Sequence, residues 1–289
     1  NGVINLGTLA VDGSVSLHTH GSGNATVVND AGLNFAASTV GGNLIATATT
    51  GNMTDSGALA ISGTSSFTTS ASGADITLDT TTNAFTGAVA LNTTGSQWDN
   101  GSERGDATID GGTTALDIAA STVGGILTLR SGNASGITDS GTVTVGNWLV
   151  ATTDANNGVI NLNQLAVDAG IHLNTHGSGN ATAVNDAGFL FGGGGSTVGG
   201  NLAATATTGN MTDNNDGSVT VAGTSSFTTS ANNATITLDD TDHSFTGAVT
   251  ITTNDNSGMD ADVTIDGGTT ALILAASTID GDLTVRSGN

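Results

Sequence analysis

The sequence predicts an all-β fold, a parallel β-helix (β-solenoid) with roughly 22 residues per coil. Three observations carry this prediction: a short phrase that keeps returning, a composition suited to stacked strands, and a longer period laid over the short one. The phrase is clearest at 11–17, Val-Asp-Gly-Ser-Val-Ser-Leu: an apolar residue, a glycine soon after, then alternating apolar residues. It recurs from Val40, Ile61, Phe85, Val123, Val145 and Val167, at intervals of 29, 21, 24, 38, 22 and 22 residues, and again from Val198, Val221, Phe245 and Ile279. The two longest gaps predict a coil with a decayed phrase, near Ile109 and near Ile265.

Composition points the same way. The chain has 44 Gly, no Pro, no Cys and no Tyr among its 289 residues. A sheet in which almost every backbone N–H is donated to the next coil has no place for proline. Few aromatics and many small or β-branched residues suit a narrow core of stacked side chains.

The long period is 156 residues. Residues 2–6, Gly-Val-Ile-Asn-Leu, return at 158–162, and Asn24-Ala25-Thr26 returns as Asn180-Ala181-Thr182. The shift grows by two at the glycine run Gly192 to Gly195 and by two more near Asn214, then falls back. Such small insertions belong to loops, because a one-residue slip inside a strand would turn its core face outward. The sequence therefore divides into a first long unit, 1–156, and a second, incomplete one, 157–289, expected to form one continuous rod of roughly 13 coils. Neither end carries a polar or helical cap, so the solenoid is expected to continue into further repeats or further copies end to end.

Taken in order, each phrase supplies one short strand, and a second strand type lies between phrases: Ala74-Asp75-Ile76-Thr77-Leu78, Ala107-Thr108-Ile109 and their counterparts Ala234 to Leu238 and Val263 to Ile265. Alternation over a few residues, bounded by Gly, Asn and Asp, reads as half-buried strands. Ser-Thr pairs at Ser38, Ser121, Ser196 and Ser277 precede four phrases and suit hydroxyl ladders or turn caps at one corner. The expected core ladder comprises Val11, Val15, Leu17, Phe67, Leu78, Phe85, Val89, Leu91, Val123, Leu127 and Leu129, with Phe227, Leu238, Phe245 and Val249 as second-unit counterparts.

Charge narrows the partners. With 25 Asp plus Glu against 3 Lys plus Arg, the formal net charge is -22. Nucleic-acid binding needs Lys and Arg to neutralise phosphates, so that class is excluded, as is docking on an anionic membrane. No apolar stretch is long enough to span a bilayer. Cations should be attracted and should ease repulsion along the stack.

Candidate sites are few. Calcium is the one ion that the oxygen-rich clusters suit, at Asp239, Asp240, Asp242, Asp255, Asp260 and Asp262, but their spacing matches no calcium-loop pattern. Alternate residues His18 and His20 share a strand face, as do His172 and His176 in the second unit, yet no third metal ligand stands at a clear spacing. Arg104-Gly105-Asp106 spells the integrin-binding tripeptide in an irregular loop where exposure is expected. Thr-x-Thr pieces fall short of the once-per-coil regularity that an ice-binding plane needs. No nucleophile elbow or other catalytic motif appears, so no enzyme activity is expected.

Residues 38–44, Ser-Thr-Val-Gly-Gly-Asn-Leu, then 50–57, Thr-Gly-Asn-Met-Thr-Asp-Ser-Gly, and the tract from Gly63 to Leu91 resemble the β-strand repeats of giant bacterial surface proteins related to filamentous haemagglutinin. The resemblance implies a secreted, right-handed parallel β-helix on the bacterial cell surface, holding adhesive regions away from the cell. The resulting expectation is a structural module of a long extracellular protein, a rigid acidic stalk or filament. Two alternatives stand beside it: an adhesin module that binds a cell-surface receptor or glycan, and a polysaccharide-processing β-helix enzyme.

Overall fold

The structure is a computed structural model, and it describes residues 1–95, 104–214, 216–254 and 260–288. It is an all-β parallel solenoid of about 12 turns, about 22 residues apart, without helix among the described residues. No helix is long and apolar enough to cross a membrane. The strands Ala107–Asp110 and Val263–Asp266 lie where decayed phrases were expected.

Two compact units divide between Leu149 and Val150, a few residues before the sequence period restarts. In the first, a coil runs through three short strands, Leu44–Ala48, Met53–Asp55 and Leu59–Ile61. The next coil, Ser65–Ser72, Ile76–Leu78 and Ala84–Phe85, stacks on it in parallel, pairing Ala46 with Phe67, Met53 with Ile76 and Ile61 with Phe85. In the second unit the coil Leu202–Ala206, Met211–Asp213 and Val219–Val221 is followed likewise by Ser225–Asn232, Ile236–Leu238 and Ser244–Phe245. Alternating burial along these strands is the period-two signature of a sheet with one face inside.

The core phenylalanines pack ring on ring. All seven phenylalanines are fully buried. Phe67 meets Phe35 at 6.4 Å and Phe85 at 5.9 Å between ring centroids, both edge to face. Phe227 stands in the same way between Phe191 at 6.0 Å and Phe245 at 5.6 Å. Val15, Leu17, Leu78, Val89, Leu91, Val123, Leu127, Leu129, Leu238 and Val249 are also buried. Val11 differs, being only half-buried, whereas its counterpart Val167 is 2% exposed.

Polar side chains pin one coil to the next at the corners. The serine Oγ of each Ser-Thr pair accepts a backbone N–H from the preceding coil: Leu17 to Ser38, Leu91 to Ser121, Leu173 to Ser196 and Ile251 to Ser277, at 3.0 to 3.1 Å, with the first three serines buried and Ser277 exposed. Asn24 Oδ1 accepts the Asn43 N–H, and Asn43 Oδ1 accepts that of Thr64. A glycine column permits the closest approach: a Cβ on Gly41 or Gly199 would overlap the carbonyl oxygen of Gly21 or Gly177.

Two hydroxyls do not take part. Ser65 and Ser225, at equivalent places and 3% and 2% exposed, have no hydrogen-bond partner. Ser225 occupies an inward column between Leu202 and Val249. An unpaired buried hydroxyl costs free energy that a methyl group does not. Ser225→Ala is therefore expected to leave stability unchanged or raise it by up to about 1 kcal/mol, whereas Ser196→Ala, which orphans the Leu173 N–H, should lower it by about 1–3 kcal/mol. Denaturant titration of both variants is the check, and a Ser225→Ala loss as large as that of Ser196→Ala would refute the distinction.

Candidate functional site

The Arg-Gly-Asp tripeptide is not an exposed loop, which corrects the expectation from sequence. Arg104 and Asp106 are half-buried and Gly105 is buried, with a left-handed φ of 64°. Gly105 O accepts from Thr93 Oγ1 at 2.5 Å and from the Gly125 N–H at 3.1 Å. Asp106 donates its N–H to Asp75 Oδ1, and its own Oδ1 accepts the Ile126 N–H at 2.7 Å. Backbone and carboxylate alike are built into the ladder between coils.

The acidic positions are scattered. Asp239, Asp242, Asp260 and Asp262 are exposed, Asp240 is half-buried, and Asp255 lies outside the described residues. Asp262 Oδ1 is engaged by the Asp282 N–H at 2.8 Å. Asp239 and Asp240 share an open cleft of about 320 Å³ with Asp213, Asn214 and Thr241. Among the described residues no group of three or more His, Cys, Asp or Glu converges as a metal site would require.

Behind that cleft lies a buried pair with no local signature in the sequence. His243 has a fully buried side chain, and its Nε2 sits 2.6 Å from Asp213 Oδ2. Its Nδ1 accepts the Val219 N–H at 2.8 Å, which places the ring proton on Nε2, donated to Asp213. Asp240 donates its N–H to the same carboxylate oxygen at 3.0 Å. In the first unit Asn83 takes the same role: its Oδ1 accepts the Leu59 N–H at 2.8 Å and its Nδ2 donates to Asp55 Oδ2 at 2.7 Å. A carboxamide and a Nδ1-accepting imidazole present acceptor and donor in the same order, so the pair is a corner brace in both units. The signal that could have found it is the replacement of Asn83 by His243 at repeat-equivalent positions, each two residues before a buried Phe.

The paired histidines are exposed except His172, which is half-buried. His18 and His20 are exposed, with His18 Nε2 3.0 Å from Ser16 Oγ. His172 stands where the first unit has Ser16, 3.2 Å from Asn174 Nδ2, while His176 is exposed. The added glycines bend over His172, with φ of 74°, 113° and 81° at Gly193, Gly194 and Gly195. Burial pulls its pKa below the ordinary 6.5, and a hydrogen bond with the Gly195 backbone opposes this more weakly. As pH falls, the unfolded chain takes up this proton before the folded one does. The contribution is complete above about pH 6.5 and declines as pH drops from there toward the folded-state pKa. His172→Ser should flatten that part of the curve. Melting temperatures of both proteins across this range test the assignment, and parallel curves would refute it.

The inward serines also show how the repeat sits on the coil. The pentapeptide Ser-Thr-Val-Gly-Gly occurs at 38–42 and again at 121–125. Ser38–Val40 pairs with Leu59–Ile61, which pairs in turn with Ala84–Phe85. Ser121–Val123 instead pairs with Val89–Thr94 and Val143–Val145. Identical sequence thus lies on different sides of the coil within one unit, so no side gathers every copy of a motif.

No curated protein and no solved structure matches the chain. A family model described as repeats of unknown function (DUF5649) matches residues 22–92, 104–175 and 178–252, which together make up most of the sequence. The stretches 22–92 and 178–252 are long-period counterparts, and 104–175 adds a copy between them. The chain therefore belongs to this DUF5649 repeat family.

Proposed function

We propose that this chain is a structural repeat module of a long extracellular bacterial surface protein, serving as a stiff acidic stalk or filament. The observation that carries this reading is the coil-to-coil bonding within each unit. Strands, corner amides and the hydroxyls of Ser38, Ser121 and Ser196 bond to a neighbouring coil, so each coil is held mainly by its neighbours, as in other solenoids. Most coil-to-coil bonds are backbone ladders, which resist extension without disulfides. The acidic surface keeps like rods apart. The reading involves no catalysis.

Two measurements test it. Cryo-electron microscopy of native material should show a fibre with coils stacked at about 4.8 Å; discrete compact particles would count against a stalk. Screening should relieve self-repulsion in a chain of net charge -22. The melting temperature is therefore expected to rise with sodium chloride, and calcium should act at lower concentration. A melting temperature indifferent to both would remove the electrostatic part of the proposal.

A further inference from the structure

One face of the second unit carries no charge over four successive strands. In the second unit the successive strands Ala181–Asn185, Leu202–Ala206, Ser225–Asn232 and Val249–Asn254 contain no Asp, Glu, Lys or Arg. In a chain of net charge -22, the acids stand at corners and on the other strands. The outward residues of this face form two columns in register. Thr205, Thr228, Thr252 and Thr278 are paired coil by coil in one, and Ser226 with Thr250 continues the other.

The hydroxyls of this face differ from those elsewhere. At the corners Thr153, Thr175 and Thr229 each donate to a backbone carbonyl. Those of Thr205, Ser226, Thr228, Thr250 and Thr252 have no hydrogen-bond partner within the described protein. They are half-exposed donors and acceptors fixed on rigid strands, about 4.8 Å apart along the stack and about 6.6 Å apart across a strand.

We propose that this face is a binding surface for a neutral, linear polysaccharide lying along the solenoid axis, about one sugar per coil. The coil spacing is close to the length of one pyranose ring in an extended β-linked chain. Hydroxyls that both donate and accept match the same groups on a sugar, and threonine methyls offer contact to its C–H faces. Charge selects the class: an anionic glycan would be repelled by the acids around the face, whereas a neutral one would not. Val184 and Ala203 interrupt the columns, which a flexible polymer tolerates better than an ice plane does. This inference stands apart from the stalk reading, and either can fail without the other.

Affinity electrophoresis of the full chain tests it, in gels holding a soluble neutral β-glucan, heparin or no polysaccharide. The expected result is retardation by the β-glucan alone, weakened at least tenfold by Thr205→Glu with Thr228→Glu. Thr220→Glu, which adds a carboxylate on a different strand where the side chain is exposed, should retain full binding. Circular dichroism and melting curves establish that each variant is folded; should the double variant unfold, Thr228→Asn replaces it, with a smaller loss expected. No retardation by the β-glucan, retardation by heparin alone, or equal loss in Thr220→Glu would overturn the proposal. Thermal hysteresis without glucan binding would do so in favour of ice, and concentration-dependent association without it in favour of a second copy.

Discussion

Phe227→Ala is expected to destabilise the second unit by about 3–5 kcal/mol, with the first unit unaffected. Phe227 is fully buried, paired in register with Ala204 on one side and Ile251 on the other, and its ring is held edge to face by Phe191 and Phe245. Removing it leaves a cavity that the coil cannot close, because the ladders on both sides hold the strands at fixed spacing. Two aromatic contacts are lost as well, each contributing about 0.5–1.5 kcal/mol. Stability in a solenoid is a sum of neighbour terms, so the damage should stay local. Hydrogen exchange should show lost protection in Leu202–Ala206 and Val249–Asn254 while Leu44–Ala48 keeps its own. Phe67→Ala should produce the mirror image. Equal loss in both units would show that the chain melts as one cooperative body, and the neighbour-limited account would be wrong.

Asn185→Leu should be of comparable size, although leucine keeps the branched heavy-atom skeleton of asparagine. Asn185 is 1% exposed. Its Oδ1 accepts the Val167 N–H at 2.8 Å, and its Nδ2 donates to Val167 O at 3.0 Å and Gly188 O at 2.6 Å. One side chain therefore closes the gap left by a register shift in the ladder between Leu162 and Leu165. Leucine would orphan one N–H and two carbonyls. At about 1–3 kcal/mol for each buried group left unpaired, a loss of about 3–5 kcal/mol follows even if some groups find water. Asn185→Asp is expected to be no better, since it retains the acceptor, loses both donors and brings a charge into a buried site. Asn29 repeats these contacts with Val11 and Gly32 in the first unit, where Val11 is half-buried. Asn29 is 0% exposed, so Asn29→Leu should cost about as much as Asn185→Leu. Denaturant unfolding of the two variants gives the comparison, and a negligible loss at either would refute the clamp.

The sequence by itself determined the class of fold. Alternating burial is a property of a few consecutive residues, so the inward set at Val15 and Leu17, or at Phe227 and Val249, follows from local pattern once a parallel stack is assumed. Composition likewise pointed to a proline-free ladder and an acidic surface. What the tertiary structure decided is everything that joins residues 18 to 31 positions apart. The Asn29 and Asn185 clamps, the inward serine hydroxyls and the His243–Asp213 brace connect different coils, and no local pattern announces them. The Arg-Gly-Asp tripeptide reads as a loop in the sequence and is a rung in the fold, because its exposure depends on what stacks above and below it. The same reason explains why identical pentapeptides at 38–42 and 121–125 lie on different sides. A strand's neighbours are set by the accumulated length of every coil before it, a sum over the whole chain that no short stretch of sequence contains.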